Sequence, residues 1–286
     1  MAVKIITDST SDLSADTAKQ LGITVVPLQI HFGNDTYKDG VDISTDEFYR
    51  RLAENKIYPS TSAPPPRDFI NAFDKAAEEA DEIVVLTISS KLSATYQSAL
   101  KAKEAWTGKV RLEVIDSRSA IMGLGLIAIA AAKAARTGVT IDKVLQVVNG
   151  CIGKVDFRMV FDTLEYLRKG GRIGSAQVFL GSMLKINPVI TLRDGATEAV
   201  TRLRSREKSL DYLVEYGAAF NEVEEMAIEY ATTPDEAELI ASRLAKYYPV
   251  EKIYRLQVSP VIGTNVGPRV LGVGVLPRME LSAEEK

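Results

Sequence analysis

Hydroxyl side chains crowd into one stretch, Ser89-Ser90-Lys91-Leu92-Ser93-Ala94-Thr95-Tyr96-Gln97, where a β-rich run gives way to a helical pattern. Such a junction leaves backbone N–H groups unpaired and presents the positive end of a helix dipole, the ingredients of an anion site. In an open α/β sheet it also lies at the carboxyl edge of the strands, where ligands bind. The simpler reading is that Ser89 or Ser90 caps the helix. Ser93 falls beyond such a cap, so its hydroxyl calls for another role.

Two further strand ends carry the same theme. Asp8-Ser9-Thr10-Ser11-Asp12 can cap a first helix while turning donors and acceptors toward the same edge, and Asp116-Ser117-Arg118 follows a third β-like run. A separate segment, Leu164-Glu165-Tyr166-Leu167-Arg168-Lys169-Gly170-Gly171-Arg172-Ile173-Gly174, reads as a basic helix terminus closed by glycine, with Arg172 on the turn. Its cations either complement the helix dipole or face a phosphate or a partner.

Several catalytic arrangements are disfavoured. Gly123-Leu124-Gly125-Leu126-Ile127-Ala128 has the glycine spacing of a dinucleotide fingerprint, yet no strand ending in an acid follows at the required distance, so close helix packing is the expected role. There is no phosphate-binding loop of the GxxxxGK type and no Cys/His spacing for a metal. A serine hydrolase working through Ser93 would need His31, the sole histidine, or a lysine such as Lys91 or Lys185, as its base.

The elements that must position these residues follow from periodicity. Val3–Thr7, Ile23–Phe32, Glu82–Ser89 and Val110–Asp116 read as strands, separated by helical patterns over Asp46–Asn55, Arg67–Ala80 and Leu92–Ala105. Ser44 and Glu47 form a capping box, and the prolines of Pro59–Pro66 fix an extended loop that holds Thr61 and Ser62. This alternation predicts a parallel βαβ domain. A helical bridge from Ile121 to about Val155 follows, with Gly138 as a stop and Thr140 as a cap. Beyond it, strands are expected at Pro188–Arg193, Glu198–Leu203, Met226–Tyr230, Tyr254–Val258 and Val270–Leu276, with helices over 206–220 and 234–248. Asp194-Gly195 predicts a hairpin, so the second sheet should be mixed.

The expected architecture is therefore α/β with two domains, residues 1–155 and 156–286, since 286 residues exceed the ~250 at which single cores divide. With 35 basic against 38 acidic residues and a net charge of -3, nucleic acid is not an expected partner. One cysteine, Cys151, cannot form an intrachain disulfide, and the first residues read as a strand rather than a signal peptide, so the cytoplasm is the expected compartment. The longest uncharged apolar run, Ala120 to Ala132, is shorter than the ~18–20 residues a membrane span needs, so stable membrane insertion is not expected.

In order and spacing, the segments at Asp8–Leu13, Thr61-Ser62-Ala63-Pro64, Ser90–Ala99, Val114–Ser117 and Leu164–Gly174 resemble the DegV family over essentially the whole chain. The resemblance implies a two-domain protein that encloses a long-chain fatty acid in a tunnel at the domain interface. It also implies a binding subunit, without a cofactor or catalysis of its own, that presents the acid to a separate kinase subunit for acyl-phosphate formation feeding phospholipid synthesis. Carried over, Thr61, Ser62, Ser93, Ala94 and Asn265 stand at the carboxylate site, and Arg172 at the kinase-docking site. Ala63, Ala94, Asn265 and Arg269 depart from the usual Gln, Gly, His and Gly of the family. A kinase-independent lipid-binding regulator is the alternative that Asn265 and Arg269 raise, and a serine hydrolase of acyl esters is a further one.

Overall fold

The computed structural model describes residues 2–54, 57–180 and 186–278. In chain order its first part contains β1 (Val3–Asp8), α1 (Ala15–Leu21), β2 (Ile23–Val26), β3 (Gln29–Phe32), β4 (Asp35–Lys38), α2 (Thr45–Glu54), β5 (Ser60–Ser62), α3 (Pro66–Ala77), β6 (Glu82–Thr87), α4 (Thr95–Ala105), β7 (Arg111–Asp116), α5 (Ile121–Ala135) and α6 (Ile141–Cys151). Strands β2-β1-β6-β7 form a parallel sheet. Every residue of β6 is buried, as a central parallel strand covered on both faces requires. Ile83 and Val85 pack with Phe69 and Phe73 of α3, whereas Val84 and Leu86 pack with α5 and α6.

The expected strand Ile23–Phe32 is in fact two. Proline has no N–H to give to a sheet ladder, and at Pro27 the chain leaves the parallel sheet. The Leu28 N–H bonds the Ser9 hydroxyl instead, at 3.0 Å. β3 then joins a three-stranded antiparallel sheet, β4-β3-β5. The stretch expected as an extended loop is extended, and Ser60–Ser62 within it pairs with β3. Half of the expected capping box forms: Glu47 N–H donates to the Ser44 hydroxyl, but the Glu47 carboxylate pairs with Arg50 and Arg51.

The second part contains β8 (Asp156–Val160), α7 (Glu165–Gly170), β9 (Asn187–Arg193), β10 (Ala196–Leu203), α8 (Arg206–Ala218), β11 (Val223–Tyr230), α9 (Pro234–Leu244), β12 (Ile253–Gln257), α10 (Pro260–Val266) and β13 (Leu271–Pro277). The sheet order is β10-β9-β8-β13-β11-β12, with only β11 and β12 parallel, so this sheet is mixed as expected. Asp194 and Gly195 both have positive φ, 49° and 79°, the signature of a tight primed turn between β9 and β10.

α5 packs against both sheets, and its glycines permit this. A Cβ on Gly125 would lie 2.6 Å from the Ser11 carbonyl oxygen, and one on Gly123 would lie 3.0 Å from Phe157 of β8. The Gly-Leu-Gly pattern is thus a close-packing device, as the absent downstream acid indicated. Among the described residues no helix is long and apolar enough to cross a membrane.

Candidate functional site

The ends of β1, β6 and β7 lie side by side, but many of their polar groups are committed to one another. Asp8 accepts the Thr10 N–H and hydroxyl at 3.0 and 2.5 Å and the Ile88 N–H at 2.8 Å. Its full burial pushes the carboxyl up to about 6, against the opposing pull of those hydrogen bonds. Ser89 donates to the Gly195 carbonyl at 2.7 Å, joining this edge to the β9–β10 turn, and Ser90 donates to Asp116 at 2.5 Å. Neither serine caps a helix, because α4 begins only at Thr95. Ser93 accordingly lies before the helix rather than beyond its cap.

Beside these strand ends lies a cavity that is partly open to solvent. Its walls are mostly apolar: Leu28 and Ile88 from the parallel-sheet side, Phe157, Met159 and Ile190 from the mixed sheet, and Val261 and Ile262 from α10. Polar groups reach it from Thr10, Thr61, Ser93, Arg172, Thr191, Thr197 and Asn265. Three of the threonine hydroxyls are engaged within the protein, Thr10 with Asp8, Thr191 with Asp156 and Thr197 with the Arg172 carbonyl.

Of the residues singled out from sequence, Thr61, Ser93, Asn265 and Arg172 line this cavity. Among the described residues the Thr61 hydroxyl has no hydrogen-bond partner. Ser93 accepts the Thr95 N–H at 3.3 Å and shares a 2.8 Å contact with the Thr95 hydroxyl; when Thr95 donates, the Ser93 proton is free. Asn265 donates one amide hydrogen to the Val261 carbonyl, at 3.2 Å, and keeps a second.

Two of the expected residues lie outside the lining. Ser62 does not line the cavity: side chains alternate along a strand, so Thr61 and Ser62 face opposite ways, and Ser62 contacts His31 and Gln29 at 2.9 and 3.2 Å. Ala94 is exposed and also outside the lining, at the N-cap position of α4. Arg172 is exposed, but it is not a free docking side chain. Its guanidinium donates through Nε to the Leu92 carbonyl at 3.1 Å and through Nη1 to the Gly170 carbonyl.

Arg269 stands away from the cavity, ion-paired with Asp162 at 2.9 Å. His31 uses its two ring nitrogens on Thr36 and Ser62, so it is not paired with Ser93. Lys91 is exposed on the turn, and Lys185 lies outside the described residues. Burial pushes the Cys151 thiol up to about 12, leaving it inert. Among the described residues no group of three His, Cys, Asp or Glu side chains could hold a metal ion. Thr191, Thr197, Phe157 and Met159 were not anticipated as lining residues; β8 carries charges at alternate positions and its apolar face shows only in pairing.

A parallel sheet and a mixed sheet set around one apolar cavity define a two-domain α/β protein organised about an internal binding space. The DegV family profile matches residues 2–278, and the chain belongs to that family. The DegV domain-containing protein CPE0304 of Clostridium perfringens is 37% identical over 281 residues, covering 96% of this chain and 98% of that one. Among solved structures, a DegV family protein from Thermus thermophilus described for its fatty acid binding superposes with a TM-score of 0.89 at 32% identity, over 97% of this chain and 100% of its own. A DegV lipid-binding protein from Thermotoga maritima gives 0.84 at 28% identity, over 98% and 100%.

Proposed function

We propose that this chain binds a long-chain fatty acid, with the carboxylate at Thr61 and Ser93 and the acyl chain in the apolar cavity. The observation that carries this reading is the pairing of a mostly apolar space with hydroxyls at its wall that still have hydrogens to donate. Each buried methylene contributes about 0.8 kcal/mol, and the hydroxyls, the Asn265 amide and the Ala94 N–H supply donors suited to a carboxylate. The fatty acid binding of the Thermus thermophilus relative supports the same ligand class.

We further propose that residues 1–155 and 156–286 are the two domains, that the protein works in the cytoplasm, and that it presents the carboxylate to a separate kinase subunit, with Arg172 at the contact. In this reading it performs no catalysis of its own: His31, one of the bases a hydrolase at Ser93 would need, is engaged with Thr36 and Ser62. The regulator alternative loses one of its two grounds, because Arg269 sits in a surface ion pair rather than at the cavity.

A titration of lipid-free protein with a C16 acid and with its methyl ester tests carboxylate recognition. Loss of a charge-assisted hydrogen bond is worth about 1.5–3 kcal/mol, so the ester should bind roughly ten- to a hundredfold more weakly and remain unhydrolysed. Equal affinities would place the polar end elsewhere.

A further inference from the structure

Behind the cavity wall two buried carboxyl groups from distant parts of the chain meet. Asp12 follows β1 and Glu229 lies on β11; they are 5% and 0% exposed and within hydrogen-bonding reach of one another. Asp12 Oδ2 and Glu229 Oε1 are buried without a resolved hydrogen-bond partner among the described residues, and the Ser259 hydroxyl, beside Asp12, is a neutral donor close to the pair. Two carboxylates cannot bond without a hydrogen between them, so the contact requires a shared proton.

Each acid also braces a wall element. Asp12 accepts the Ser259 N–H at 3.3 Å, at the start of α10, which supplies Val261, Ile262, Asn265 and Val266 to the cavity. Glu229 accepts the Met122 N–H at 3.3 Å, at the start of α5. The preceding residue, Ile121, lines the cavity and has φ 53°, a left-handed conformation that a β-branched residue adopts only under constraint.

We propose that Asp12 and Glu229 are positioning residues whose shared proton holds α5 and α10 in the shape that encloses the ligand, so that ligand retention is linked to pH. The proposal rests on the fatty-acid reading for the identity of the ligand. With the proton present, Asp12 donates to Glu229 and both wall helices are tied to one brace. Without it, two like charges face each other in a low-dielectric site, and the brace and the strained Ile121 turn relax together.

The surroundings offer little compensation. Asp39, 4% exposed, adds a third acid beside Asp12; burial pushes its carboxyl up to about 7 against the opposing pull of the Ser9 and Ser259 hydroxyls and the Val261 N–H. Tyr49 packs against the cluster, but its hydroxyl donates to the Val258 carbonyl at 3.2 Å. Lys19 lines the same outer cleft as Asp12 and Asp39 and is exposed. Desolvation raises Asp12 and Glu229 alike, with their mutual repulsion adding at Asp12. Raised carboxyls favour the folded state most below the ordinary carboxylate range of about 4, and that contribution is lost progressively as pH climbs through the raised folded-state values, about 7 for Glu229 and well above the ordinary value for Asp12.

Asp12→Asn separates the proton from the geometry. The Asn amide donates to Glu229 as protonated Asp12 does, its oxygen still accepts from Ser259, and Asn tolerates the φ of 52° at this position. Fatty acid affinity and thermal unfolding are measured between about pH 5.5 and about pH 8.5 at constant salt on wild type, Asp12→Asn and Glu229→Gln. Above neutrality, wild-type affinity should fall about tenfold more per pH unit than that of Asp12→Asn, the equivalent of one proton. The Tm of ligand-free Asp12→Asn should exceed that of wild type at the high end of the range only. Glu229→Gln should likewise flatten the wild-type profile. Parallel slopes for wild type and Asp12→Asn, or a flat wild-type profile, overturn the proposal while leaving fatty acid binding intact. Absence of binding at every pH is instead the failure of the fatty-acid reading, and the linkage falls with it.

Discussion

The double variant Thr61→Ala/Ser93→Ala is expected to lose more than a hundredfold in affinity for a long-chain fatty acid, while its Tm without ligand stays close to that of wild type. Thr61 comes from the short strand β5 and Ser93 from the turn before α4, and both line the same wall. Neither hydroxyl supports the fold heavily: Thr61 has no partner among the described residues, and Ser93 bonds only Thr95 two residues on. Each removed donor to a charged acceptor costs about 1.5–3 kcal/mol, which for two reaches about 3 kcal/mol or more, a factor above a hundred. Isothermal titration of lipid-free protein gives the affinity, and circular dichroism melting gives the stability. Unchanged affinity would move the carboxylate to another part of the cavity.

Arg172→Ala should abolish acyl-phosphate formation by a cognate kinase subunit while weakening fatty acid binding by no more than a few fold. The guanidinium lies at the edge of the cavity, anchored on the Leu92 and Gly170 carbonyls. Among the described residues those two bonds leave Nη2 without a partner at an exposed position, suited to a phosphate or a partner carboxylate. The backbone at this residue is held separately, because the Thr197 hydroxyl bonds its carbonyl at 2.6 Å, so the turn should survive loss of the side chain. Phosphorylation is followed with radiolabelled ATP and affinity by titration. A hundredfold loss of affinity would assign Arg172 to the ligand instead of the partner.

Most of the frame was legible because local signals agreed with tertiary ones. The β1, β6 and β7 runs, the Asp194-Gly195 hairpin and the mixed second sheet all follow from periodicity and turn chemistry. The misses have local causes that pairing alone reveals. Pro27 divides one β-rich run between two sheets, and Ser60–Ser62, embedded among prolines, acquires its strand character from β3.

Thr61, Ser93, Asn265 and Arg172, singled out by type and by resemblance, line the cavity, whereas Ser62, one residue further along β5, turns to the opposite face. Ser89 and Ser90 illustrate the ambiguity of hydroxyl clusters, since their partners Gly195 and Asp116 are distant in sequence. The Asp12–Glu229 contact spans more than two hundred residues and carries no local signature.

Binding of a fatty acid is tested most directly by native mass spectrometry of the protein as purified from cells, followed by denaturing lipid extraction. A mostly apolar cavity is costly to fill with water, so the account predicts a mass excess that matches one long-chain fatty acid, at close to one per chain. A protein that carries no fatty acid, and takes up none when it is supplied, would contradict it.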